Sequence, residues 1–237
     1  MFFIGLAIAM LVVIALGFGK SFYLRPAFGD RPLPPYLVLH GVTMTAWYAL
    51  FLAQALLVQR QRVDLHRRLG VFGIALALAV AATGVVVHLE ILPRTRALGR
   101  VANEADVAGA LAFASAGMAT LLAFVALIAS AVAWRRRGAV HKRLMVWAFA
   151  WTLGPAFANT RPLGAFLDPL VAPHLPFFPA DLLWLAALMA YDWRTLRRIH
   201  PATWIPFVAL AAWFFLATPW IVGLDLVQPW LRAYAGA

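Results

Sequence analysis

Long apolar runs separated by short polar stretches divide the chain, covering about 2–19, 36–58, 69–92, 107–134, 144–160, 180–193 and 202–223. A helix that crosses hydrocarbon needs about 20 predominantly apolar residues. The pattern therefore predicts an all-α polytopic membrane protein, a bundle of about seven transmembrane helices forming one domain over 1–237. Prolines 26, 32, 34 and 35 end the first run, because proline cannot continue a helix. Gly154-Pro155 predicts a kink inside the fifth run. The sixth run is short, with Phe177 and Phe178 either part of it or at the interface.

Within the third run, His66, Gly70, Gly73, Ala77, Ala81, Gly84 and His88 fall on one stripe of a helix with 3.6 residues per turn. Such a ladder of small residues lets a neighbouring backbone, or a flat ligand, come close. His66 to Gly70 reads as the loop leading into this span. In the second run Thr43, Met44, Trp47, Phe51 and Gln54 follow His40 on one helical face. Polar groups inside hydrocarbon are costly and turn toward the bundle interior, so this face is expected to look inward.

Composition agrees with the pattern. The chain is 64% hydrophobic and 12% charged, with mean hydropathy +0.84, which excludes an ordinary soluble core. There is no cysteine, so disulfides, haem thioethers and thiolate metal sites are excluded, and no metal site is expected. Lys20 and Lys142 are the only lysines, and neither lies in the last run, which excludes a lysine-bound retinal. The net charge of +11 comes from cations between the runs, where they meet lipid phosphate rather than nucleic acid. Twelve of the 20 Lys and Arg follow the second, fourth and sixth runs, and eight lie on the other side. The positive-inside rule then predicts a cytoplasmic N-terminus and an external C-terminus. The first run lacks a basic leader and is expected to be kept as a span. Tryptophans 134, 147, 193, 204, 220 and 230 sit near run ends, as an aromatic belt would.

The topology sorts the histidines into His66, His141 and His200 at the cytoplasmic edge and His40, His88 and His174 toward the outside. Antiparallel packing of the second and third runs would bring His40 and His88 to one depth. The inner motifs Leu65-His66-Arg67-Arg68-Leu69-Gly70 and His141-Lys142-Arg143-Leu144-Met145 look alike. They read either as anchors for lipid phosphate or as a histidine that binds a cofactor beside cations that hold its anionic groups. Asp181, Leu185, Leu188 and Asp192 share a helix face, Asp192 lies near Arg197, Arg198 and His200, and an Arg161 to Asp181 pair is geometrically reasonable.

These motifs, with His40-Gly41, Thr45-Ala46-Trp47, Arg161, Asp181-Leu182, Tyr191-Asp192 and His200-Pro201-Ala202-Thr203, run in order from Tyr36 to Trp204. In this the chain resembles a family of uncharacterised bacterial multi-spanning membrane proteins, a domain-of-unknown-function family. The resemblance implies an all-helical fold in the bacterial inner membrane, points to His40, His66, His141, Arg161, Asp181 and Asp192, and implies no activity.

Three functions stay open. A redox protein carrying haem b, or linked to quinone, would bind its cofactor through His40, His66, His88 and His141. Residues 66 and 88 are roughly 33 Å apart along a helix, too far for two haems stacked inside the bundle. A transporter or small-molecule binder would use His40, Gln54, Asn159, Arg161, Asp181 and Asp192 as a polar site. An accessory subunit would pack against other membrane proteins through its apolar faces.

Overall fold

The computed structural model describes residues 1–29, 31–160, 178–223 and 228–236, which are predominantly helical with no strand among them. Helix α1 covers Phe2–Phe18 and closes in a π-helical turn, Gly19–Tyr23; a short α2 follows at Arg25–Phe28. Then come α3, Pro35–Gln59, α4, Val63–Leu89, α5, Ile91–Ala97, and α6, Glu104–Ala133. Helices α7, Gly138–Trp151, and α8, Gly154–Asn159, form one interrupted element. The remainder is α9, Phe178–Leu196, α10, Pro201–Ala212, a π-helical turn, α11, Thr218–Gly223, and α12, Gln228–Tyr234.

Among the described residues, five helical stretches are long and apolar enough to cross a membrane: Phe2–Tyr23, Pro35–Gln59, Val63–Leu89, Glu104–Ala133 and Pro201–Val222. Helix α9 is not among them, since Asp181, Asp192 and Arg194 lie within it. Helix α7 has 14 residues, about 21 Å of rise, before Gly154-Pro155 breaks the element where the sequence predicts a kink. The break leaves Leu153 to accept from the Ala156 and Phe157 amides as α8 restarts. Side by side, α3 packs on α4 and α1, α4 on α6, α6 on α7, and α7 on α9 and α10.

Contacts define the two ends. Gln59 reaches the Met1 sulfur, Phe2 stacks on Tyr191 and His141 bonds Ala131, so one end gathers the histidine motifs at 66, 141 and 200. It is called the histidine-66 end below. His40, His88, Arg25 and Arg94 lie at the opposite end.

Helix α7 is the core. From Arg143 to Trp151 it is buried at every residue but Met145. Phe149 is sandwiched between the rings of Trp47 at 4.3 Å and Phe51 at 4.4 Å, both stacked, and Phe124 meets Trp47 edge-on. Three of the ring N–H and O–H groups packed here find backbone partners, which offsets their removal from water. Trp147 donates to the Thr203 carbonyl at 3.0 Å, Trp151 to Thr120 at 3.1 Å and Tyr48 to Phe149 at 2.9 Å. Where α1 crosses α8, a Cβ on Gly17 would lie 2.4 Å from the Ala156 carbonyl oxygen, so only glycine permits the approach.

Several expectations are corrected. His66 to Gly70 is no loop: α4 begins at Val63, with Asp64 in its first turn complementing the dipole. His141 to Arg143 likewise sit inside α7. The connection Pro93 to Asp106 contains α5 and ends in a capping box between Asn103 and Asp106. Trp147 is fully buried and belongs to the core rather than an interfacial belt, because its indole faces Thr203. Parts of the small-residue stripe of α4 are filled by protein. A Cβ on Gly73 would lie 3.1 Å from Leu50, and one on Gly84 2.8 Å from Leu121, so at these two positions the stripe seats side chains of α3 and α6.

Candidate functional site

Polar side chains collect at both ends of the bundle. At the histidine-66 end Arg143, Asp192 and Thr203 are all completely buried. The Arg143 guanidinium meets the Asp192 carboxylate through Nη2 and through Nε, at 3.0 Å, and Nε also reaches the Thr203 hydroxyl at 3.1 Å. Asp192 Oδ2 accepts from the Thr203 hydroxyl at 2.5 Å and from the His200 amide at 2.9 Å, and Arg143 Nη1 donates to the Ala139 carbonyl. Every bonding direction of the carboxylate is thus used, which is what a buried charge requires. The knot joins α7, α9 and α10. His200 caps α10 by accepting from the Ala202 amide at 3.0 Å. Burial, and then the Arg143 guanidinium, hold its imidazole below the usual histidine range, in keeping with an acceptor nitrogen.

The sequence places Asp192 near Arg197, Arg198 and His200, and in it Arg143 reads as either a lipid anchor or a cation holding a cofactor's anionic group. Asp192 does accept from the His200 amide, but its ion-pair partner is Arg143, which is sealed from lipid and water alike. The signal was present: Arg143 lies one helical turn before Trp147, on the face that α7 buries.

Beside the knot, the His66 and His141 rings stand 6.4 Å apart between centroids, at 81°. His141 Nδ1 bonds the Ala131 carbonyl at 2.8 Å. A carbonyl only accepts, so this nitrogen carries a hydrogen. His66 Nδ1 and the Gln54 side-chain oxygen are buried without hydrogen-bond partners.

At the opposite end His40 Nδ1 bonds the Thr83 hydroxyl at 3.0 Å and His88 Nδ1 donates to the Gly84 carbonyl at 2.7 Å, so α3 and α4 do bring these histidines to one depth. The His88 ring lies flush on α6: a Cβ on Gly117 would be 1.7 Å from it. His40 also lines a cavity of about 290 Å³ between α1, α3, α8 and the π-helical turn. Ile14, Phe18, Phe22, Leu37 and Met44 make its apolar wall, while Arg25, Arg94, Ser21, Tyr23, Thr45 and Thr152 are its polar groups. Tyr23 and Thr45 bond each other at 2.7 Å, and Arg25 Nε is tied to the Arg31 carbonyl at 2.9 Å.

The polar site expected from the sequence divides. Gln54 lies 14 residues along α3 from His40, about 21 Å away, facing Gly70 of α4. It therefore belongs to the histidine-66 end and not to the cavity. Asn159 is exposed at the end of α8, Asp181 is buried at the start of α9, and Asp192 sits in the knot. Arg161 and His174 lie outside the described residues, and with them the pair expected between Arg161 and Asp181. Among the described residues no cluster of three or more His, Asp or Glu has the arrangement of a metal site. Sequence reasoning missed Arg25 and Arg94, which it counted only as topology charges. The chain matches no family model, no curated protein and no solved structure.

Proposed function

We propose that this is a bacterial inner-membrane protein of seven spans, α7 with α8 and α9 completing the five longer helices, whose activity is to bind a small amphipathic molecule for transport or presentation. The cavity around His40 carries this reading: it is concave, mostly apolar, and holds a few convergent polar groups, which is the usual make-up of a ligand site. At about 290 Å³ it takes the head of a ligand with a short apolar stem. In the positive-inside orientation the cavity faces outward and the histidine-66 end faces the cytoplasm. Thr45→Trp tests it by filling the space. Protein purified in a neutral detergent carries a co-purifying amphiphile, released on denaturation and identified by mass spectrometry, and the variant carries none. Equal recovery from both proteins would sink the proposal.

The facing rings of His66 and His141 favour a second reading, a redox protein with haem b, or one linked to quinone. Two imidazoles on opposite sides of one metal, with bonds of about 2 Å, stand at a separation close to that of these rings. Arg67, Arg68 and Lys142 would hold propionates nearby. Protein from haem-replete cells then shows a Soret band that His66→Ala abolishes. A colourless preparation removes this reading and leaves the cavity reading untouched.

A further inference from the structure

We infer that the cavity selects an amphiphile with an anionic head, a phosphate or carboxylate on an apolar chain; this rests on the binding function proposed above and names the ligand's chemistry. Arg25 and Arg94 come to the cavity from different elements, α2 and α5, and both are half-buried. Guanidinium groups keep their charge and match the oxygens of phosphate and carboxylate with paired donors. Neither forms a salt bridge among the described residues. Of the described carboxylates of this end, Glu90 accepts from Tyr234 at 2.7 Å, Glu104 pairs with Arg232, Asp106 closes the cap of α6, and Asp181, buried at the start of α9, does not line the cavity. Two cations lining an apolar cavity, with no salt bridge among the described residues, form a seat for an anion.

The wall explains why the anion carries a chain. Phe18, Phe22, Leu37 and Met44 offer nothing to a hydrated inorganic ion, whereas a methylene stem gains by leaving water against them. His40, held through Nδ1 by Thr83, adds a ring nitrogen deeper in the site. Gly41 supports the wall: a Cβ there would lie 2.3 Å from the Phe22 ring, so the aromatic lies directly on the α3 backbone.

The test uses the full chain in dodecyl maltoside, titrated with dodecyl phosphate, dodecanol and inorganic phosphate by calorimetry. The expected result is one saturable dodecyl phosphate per chain, at least tenfold tighter than dodecanol and at least a hundredfold tighter than inorganic phosphate. Arg94→Gln lowers the dodecyl phosphate affinity about tenfold, Arg94→Lys largely restores it, and the exposed Arg100→Gln at the same end leaves it unchanged. Equal binding of dodecanol and dodecyl phosphate would overturn the anionic head and leave the cavity's binding role standing. Equal binding of inorganic phosphate would overturn the chain. Binding of none of the three to the wild-type protein would remove this inference together with the reading under it. The comparison of the three probes needs no variant, so it decides the matter even if Arg94→Gln fails to fold.

Discussion

The two ends of the bundle handle charge in opposite ways. At the histidine-66 end the Arg143 guanidinium and the Asp192 carboxylate are sealed in a network whose polar atoms are paired with one another. At the other end Arg25 and Arg94 border a cavity and form no salt bridge among the described residues. A saturated network has nothing left to offer a ligand and serves to fix helices; an unsaturated one can bind. The same residue type, arginine beside an apolar wall, is thus a structural joint in one place and a recognition element in the other. The difference lies in whether a partner stands within reach.

The largest expected effect breaks the joint. Asp192→Ala leaves the Arg143 charge buried and unpaired, and it lowers stability by about 3–5 kcal/mol, read as a fall in the thermal midpoint in detergent. Replacing both partners by apolar residues, Arg143→Met with Asp192→Leu, recovers most of that loss, since the pair's attraction is largely spent on its own desolvation. A next, smaller effect lies near the open end. Gly117→Ala places a methyl where the His88 ring now sits, and it costs about 1–3 kcal/mol as the ring is pushed aside. Arg94→Gln, by contrast, changes stability by less than about 0.5 kcal/mol, as substitutions outside buried networks do, while changing ligand affinity. A stability loss as large as that of Asp192→Ala would erase the distinction between the ends. The smallest effect concerns pH. His200 is held below its ordinary value in the fold, so the unfolded chain binds the extra proton first and stability falls as pH drops below about 6.5. His200→Asn keeps a capping acceptor and flattens that part of the stability profile.

Much of this arrangement was legible in the chain. Hydrophobic runs located four of the five long helices to within about four residues and missed the start of α4 by six, while the inward face of α3 followed from the spacing of Thr43, Trp47 and Phe51, all buried. Gly154-Pro155 marked the break between α7 and α8 because proline lacks the amide hydrogen that a continuing helix would use, and fits only at the start of a new one. Cations were the harder part. A loop arginine that meets lipid phosphate and one that crosses to a buried aspartate carry the same local pattern, and only the packing of α7 against α9 and α10 separates Arg143 from its neighbours. Arg25 and Arg94 were obscure for the same reason, since a cavity shared by α2 and α5 is a tertiary fact. The glycine stripe of α4 was found correctly, but whether it holds a ligand or a neighbouring leucine depends on what α3 and α6 bring to it.

The absence of native cysteine permits the most direct test. Ser21→Cys places a thiol on the cavity wall and Thr203→Cys places one inside the knot. Treated with an impermeant maleimide on intact cells, the Ser21 variant is expected to label rapidly, and to be protected by dodecyl phosphate, while the Thr203 variant stays unlabelled on intact cells and on inverted vesicles until it is unfolded. Labelling of the Ser21 variant only on inverted vesicles, or of both variants at similar rates, would contradict the orientation proposed above, with the cavity end open to the outside and the knot closed.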